Sequence, residues 1–224
     1  FNTNMMEAAR LENVEWYVYT STCGVYAPTD RMVEDDVWKT FPGKNDWYPA
    51  WAKRIGELQA ECYRVHYGLE NISIVRPANI FGRGDNFGEG SMVIPSIIKR
   101  ICDGENPLVC WGDGTPTRDF LYVDDAANGI VLSAEKYSKS FPLNLGTGYE
   151  ISIKELAEKL LKIMNANLEI KWETDKPNGQ PRRCISIEKA AEEIGFSPKT
   201  NLDEGLKRTA EWYESKLNLV ESKY

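Results

Sequence analysis

The sequence predicts an α/β protein organised around a parallel sheet, and three observations carry that expectation. Two short β-type runs, Glu15–Thr20 and Ile72–Pro77, each spill into a polar loop at the carboxyl end. Between them, Trp51, Ile55, Leu58, Cys62 and Val65 recur at helical spacing from Ala50 to His66, with Gly68 as the stop. Strand, helix, strand in that order calls for a right-handed crossover and a sheet covered on both faces.

Each element follows from local chemistry. Asn4 to Arg10 reads as a helix with no strand before it. Ser21-Thr22-Cys23-Gly24 closes the first strand in small hydroxylic residues, and Ala78 to Gly82 forms the loop after the second. Gly82, Gly84, Gly88 and Gly90 follow a strand without opening a helix, so they read as a loop and not as a phosphate cradle. Val93, Ile94, Ile97, Ile98 and Ile101 predict an amphipathic helix, and Leu108–Trp111 a strand. Asp113-Gly114 predicts a hairpin tip. Phe120–Val123 reads as extended, and Asp124–Ser133 as a helix capped by Asp124 or Asp125. Pro142–Leu145 is a further strand. Ser152 with Glu155 forms a capping-box pattern, and helices are expected over Glu188–Ile194 and Leu202–Leu217.

Bulk properties exclude several functions. A formal charge of −7 opposes nucleic-acid binding, which needs a positive footprint. No apolar run approaches the ~20 residues of a membrane span, and no export leader opens the chain. Five scattered cysteines without paired spacing predict reduced thiols and a cytoplasmic setting. One histidine, His66, leaves little for a histidine metal site or a Ser-His-Asp triad. The acidic run Glu34-Asp35-Asp36 reads as surface.

An ordered set of motifs then resembles a known family. Ser21-Thr22-Cys23-Gly24-Val25-Tyr26, Trp51-Ala52-Lys53-Arg54-Ile55-Gly56-Glu57 and Arg76-Pro77-Ala78-Asn79-Ile80-Phe81-Gly82 resemble three signatures of the extended short-chain dehydrogenases/reductases. Asp85-Asn86-Phe87, Val93-Ile94-Pro95, Trp111 to Phe120, Val123-Asp124-Asp125 and Lys176 to Arg182 are similar to the GDP-fucose synthase-like branch. The resemblance runs over essentially the whole chain.

That resemblance implies a partial Rossmann-type doubly wound parallel sheet with a smaller α/β C-terminal substrate domain. Residues 1–83, with 120–148 returning to them, would form the cofactor part, and 84–119 with 149–224 the nucleotide-sugar part. The family's glycine-rich N-terminal half is not in these 224 residues, so the chain is expected to be a piece of a longer protein. The implied chemistry is oxidation, reduction or epimerisation at carbon 4 of a nucleotide-activated sugar, GDP-linked by preference, with NAD or NADP. The implied alternative is a catalytically impaired member that binds nucleotide sugar or cofactor as a sensor or partner subunit. A homodimer is expected.

Residue by residue, the resemblance puts Thr20, Ser21, Lys53 and Pro77 at the cofactor and Asn79, Arg100, Arg118 and Lys176 at the substrate. Arg182 and Arg183 are further candidates. Thr22 and Lys53 are the implied catalytic pair. The family's phenol stands four residues before the lysine, on the same helix face, where the ammonium lowers its pKa. Here that position is Pro49. Tyr48, one residue too early, is expected to reach the site only if Pro49 opens the helix and leaves Tyr48 at its cap. The epimerising cysteine and histidine of the GDP-fucose synthase branch correspond to Gly24 and Met92, which argues against 3,5-epimerisation.

Overall fold

The computed structural model describes residues 1–221. Strands β1 (Tyr17–Thr20), β2 (Ile72–Pro77) and β7 (Leu143–Leu145) form a parallel sheet with β2 in the centre. Every residue of β2 is buried, as a strand covered on both faces must be. Helices α1 (Asn2–Leu11) and α2 (Trp47–Tyr67) cover one face through Met6, Ala9, Ala60 and Tyr63, which meet Ile72 and Ile74. Helices α4 (Val123–Lys136) and α6 (Glu188–Ile194) cover the other, around Val75, Leu121, Leu143, Leu145 and Phe196.

A second core lies beyond the carboxyl ends of the strands. Helices α3 (Val93–Cys102), α5 (Ile153–Ile163) and α7 (Leu202–Glu221) enclose Ile94, Ile98, Leu156, Leu160 and Leu206. Strands β4 (Leu108–Trp111) and β9 (Ile170–Glu173) pair in parallel beside it. Strands β3 (Asn79–Phe81) and β6 (Phe120–Tyr122) pair in parallel where the two cores meet. The fourth sheet joins β5 (Thr117–Arg118), β8 (Ile151–Ser152) and β10 (Arg182–Arg183), with β5 in the middle.

Several expectations need correction. Asp113-Gly114 is a turn but no hairpin tip, because β4 pairs with the distant β9; Asp113 instead accepts hydrogen bonds from Thr115. Residues 79–81, expected as loop, are extended because β6 offers them backbone partners. Asp125 caps nothing. Its buried carboxylate accepts from the backbone N–H groups of Lys199 and Thr200, tying α4 to the segment before α7. Glu34 is no surface residue either, since it is buried and takes the Asn144 N–H at 3.0 Å.

Helix α2 turns a different face to the sheet from the one its apolar periodicity marks. The helix does not pack through its apolar stripe. It docks through Ala50, Arg54, Gly56, Glu57, Ala60 and Tyr63. Gly56 permits the approach, because a Cβ there would fall 2.1 Å from the Tyr19 hydroxyl oxygen. Glu57 forms a fully buried pair with Arg76, at 2.6 Å, and also takes the Ser21 hydroxyl at 2.5 Å. Ile55, Leu58, Cys62 and Val65 are left facing outward.

Candidate active site

Two adjoining cavities open at the carboxyl ends of β1 and β2. The larger, of about 760 Å³, runs between α3, β4 and β5 and is lined by Arg100, Glu105, Trp111, Arg118 and Asn178 among others. The smaller, of about 330 Å³, is lined by Thr22, Cys23, Gly24, Asp46, Pro49 and Ala50. Asn79, Ile80, Met92 and Arg183 line both, so they form one continuous cleft. A cleft of this size at strand ends suits a nucleotide-sized ligand.

In the small cavity the chain turns sharply after β1. Thr22 Oγ1 accepts the Gly24 N–H at 3.1 Å and so caps a single turn of 3₁₀-helix, Cys23–Val25. The threonine hydroxyl remains free to donate into the cavity it lines. Because the strand has ended, Cys23 does not alternate to the opposite face as an extended run would dictate; it too lines the cavity, almost fully buried. Burial pushes its thiol up to about 11. Asn79 gives its side-chain N–H to the Asp119 carbonyl at 2.9 Å, which leaves its amide oxygen as an acceptor in the cleft.

Helix α2 presents one face to this cavity. Asp46, Pro49 and Ala50 line it, and half-buried Lys53 follows one turn on, donating to the Thr20 carbonyl at 2.7 Å. Tyr48 is elsewhere. The helix begins at Trp47, so Tyr48 is its second residue and not its cap; it is 84% exposed and lines neither cavity. Ser21 is likewise unavailable to a ligand, being buried and committed to Glu57. Pro77 is buried in the sheet beside Leu145.

The large cavity is positive. Arg118 on β5 and Arg183 on β10 are register partners on adjacent strands, and both line it. Arg118 has no carboxylate partner among the described residues; its one bond is to the Thr117 carbonyl, at 2.7 Å. Asp119, buried next to it, is turned away and takes Thr147 and Gly148 instead. Burial, with Arg183 alongside, pulls the Arg118 guanidinium down to about 10, the signature of a cation lacking its counter-ion. Arg183 pairs with Asp46, and its Nε is buried without a partner. Of these two guanidinium forks only Arg183 has a carboxylate, which leaves a local excess of positive charge within an acidic chain.

Other candidates differ. Arg100 lines the cavity, but Glu105 holds it through two bonds, at 2.8 and 2.6 Å. Lys176 is exposed at the rim, 6.0 Å from the Trp111 ring. Arg182 points away from the cleft to Glu150 and Asp30. Strand alternation separates it from Arg183, a signal present in the sequence. Asp46 was missed there, although its spacing to Pro49 and Lys53 puts all three on one helical face. Among the described residues no cluster of His, Cys, Asp or Glu could hold a metal ion, and no helix is long and apolar enough to cross a membrane.

Comparison with known proteins agrees with this geometry. Residues 1–146 match the NAD dependent epimerase/dehydratase family. GDP-L-fucose synthase 1 of Arabidopsis thaliana is 33% identical over 219 residues, covering 94% of this chain and 67% of the relative. GDP-L-fucose synthase of Sinorhizobium fredii is 34% identical over 220 residues, covering 95% and 69%. The crystal structure of UDP-glucose 4-epimerase with UDP-glucose from Thermotoga maritima superposes with a TM-score of 0.85 at 26% identity, over 96% of this chain and 69% of that one. The chain therefore spans about two thirds of the length of these proteins. The match across 1–146, the relatives and the strand-end cleft together establish that this chain belongs to the NAD dependent epimerase/dehydratase family.

Proposed function

We propose that this chain supplies the substrate half and the nicotinamide-side wall of an enzyme that oxidises, reduces or epimerises a nucleotide-activated sugar, GDP-linked by preference, at carbon 4. The observation that carries the reading is the Arg118–Arg183 pair, two neighbouring cations of which only Arg183 has a carboxylate partner, in a cavity continuous with Thr22 and Asn79. Paired guanidiniums suit a diphosphate, and the Thr22 hydroxyl and Asn79 oxygen suit a sugar beyond it. The GDP-L-fucose synthases among the relatives favour guanine as the base. Gly24 and Met92 line the cleft where an epimerising cysteine and histidine would be needed, so 3,5-epimerisation is not proposed. All three proteins named above are enzymes, which favours turnover over the binding-only alternative.

The residues present fit a nicotinamide cofactor. Lys53 uses one of its three N–H donors on the Thr20 carbonyl, and the remaining two suit ribose hydroxyls at an open strand end. Lys53 and Thr20 would hold that end of NAD or NADP, which when bound supplies hydride exchange. Asn79 and Thr22 orient the sugar, while Trp111 and Lys176 border the cavity's outer end. The expected division, 1–83 with 120–148 for cofactor and 84–119 with 149–224 for substrate, accompanies this reading. So does a homodimer through the outward stripe of α2, and so does a reducing, cytoplasmic setting for five unpaired cysteines.

The test is turnover. The complete protein carrying this chain is incubated with GDP-, UDP- and dTDP-sugars plus each nicotinamide cofactor, and reduced-cofactor absorbance is followed. Change with a GDP-sugar, lost by about 10²-fold or more in Lys53→Met, is expected. No change with any nucleotide sugar would refute the reading.

A further inference from the structure

The helix face that reaches the cleft carries a proline where a proton-exchanging group is needed, and that raises the question of what exchanges the proton. Tyr48 points to solvent. Lys53 and Arg183 are cations and accept nothing. The Cys23 thiol, pushed up to about 11, stays protonated at neutral pH, and a hydroxyl such as that of Thr22 is a weak base. His66 lies at the far end of α2. Of the residues lining the small cavity, one carries a carboxylate: Asp46.

We infer that Asp46 is the proton-exchanging residue of this site, the role for which Pro49 has no group. This inference rests on the nucleotide-sugar reading above. Asp46 immediately precedes α2, one turn before Pro49 and two before Lys53, so it shares their face. Its side chain flanks the same spot as Thr22: a methyl group built on Gly24 would lie 3.5 Å from Thr22 Oγ1 and 3.8 Å from Asp46 Cγ. A structural explanation for the aspartate is weak. It stands at the helix N-cap but makes no side-chain cap hydrogen bond. Oδ2 is engaged by Arg183, and Oδ1 has no hydrogen-bond partner among the described residues.

The step balances with the family's own cofactor class. The sugar O–H bond breaks and its proton passes to the Asp46 carboxylate. The C–H bond breaks with its electron pair, which leaves as hydride to an oxidised nicotinamide, and C=O forms. The reverse returns the proton from the carboxylic acid. Arg183 links this group to substrate binding. A diphosphate between Arg118 and Arg183 competes with Asp46 for the Arg183 fork, so binding frees the carboxylate where the hydroxyl arrives.

The test separates chemistry from binding in the complete protein. Asp46→Asn, which keeps size and polarity, is expected to lower kcat by about 10²–10⁴-fold. Its calorimetric affinity for GDP is expected to be unchanged or tighter, because Arg183 is released; a purely structural role would weaken it. Asp46→Glu restores the carboxylate and is expected to recover at least about tenfold over the asparagine variant. Tyr48→Phe is expected to keep turnover near that of the parent. If the parent turns over but Asp46→Asn keeps more than a third of kcat, or Tyr48→Phe removes it, the inference falls and the function stands. If the parent turns over no nucleotide sugar, both fall.

Discussion

Arg118 and Arg183 stand side by side on adjacent parallel strands, register partners that line one cavity, and of the two only Arg183 has a carboxylate partner, Asp46. Like charges so placed repel, and the Asp46 carboxylate offsets the charge of Arg183 but not that of Arg118.

The first prediction concerns these two forks. Arg118→Met and Arg183→Met are each expected to weaken GDP binding about 10–100-fold, since a hydrogen bond to a charged group contributes roughly 1.5–3 kcal/mol. Thermal unfolding of ligand-free Arg118→Met should be unchanged or shifted upward, because its cation has no counter-ion to lose. Titration calorimetry with GDP checks the affinity, and both variants binding within threefold of the parent would contradict a diphosphate site.

Glu57→Gln strands Arg76 in the core. The pair is fully buried, and Arg76 also donates to Tyr26 and to the Glu34 carbonyl. Loss of one partner of a buried pair costs about 3–5 kcal/mol, measurable as a lower urea midpoint. The exposed Lys39–Asp36 pair should cost less than about 1 kcal/mol when broken.

Alkaline stability should report on Cys23. Its thiol, raised by burial from 9.0 to about 11, keeps its proton in the fold at a pH where the unfolded chain has lost it. The contribution is therefore complete below about pH 9 and disappears as pH climbs to about 11, on the order of 2–3 kcal/mol. Urea midpoints across that window should fall less steeply in Cys23→Val. Identical slopes would mean the thiol is more accessible than its burial indicates.

The outward stripe of α2 makes the proposed dimer testable. Ile55 and Leu58 are 53% and 49% exposed one turn apart, with Val65 60% exposed further along the same helix. Ile55→Glu with Leu58→Glu should convert a dimer to a monomer in light scattering, with circular dichroism intact. A parent that is already monomeric at micromolar concentration would remove this interface.

The fold's local grammar was open to reading. Gly68 stops α2 in the left-handed conformation, at φ +69°. The Ser152–Glu155 capping box is formed as its spacing implies, and α6 has the expected bounds. What could not be read was partnership at a distance. Nothing near Asp125 foretells Lys199 and Thr200, and nothing near Asp113 foretells that β4 chooses β9. Periodicity located the stripe on α2 but not its direction, because small residues and a buried ion pair, not the large apolar side chains, form the contact with the sheet. At the site, Thr22, Asn79 and Arg118 line a shared cleft, whereas Lys53, expected beside Thr22, lines neither cavity and donates to the Thr20 carbonyl. Tyr48 failed on a helix start two residues earlier than Pro49 suggested.

The sheet beneath the two arginines has a consequence for how the binding surface comes into being. Each of its three strands is two residues long, too short to persist as a separate hairpin or ribbon. They are drawn from remote stretches of chain, so they stay paired only while both cores hold those stretches in place. The surface that presents the two arginines thus depends on global closure, and loosening anywhere along those stretches should be felt there early. Occupancy by a nucleotide would act as a clasp on the entire fold, slowing amide exchange well beyond the residues it touches.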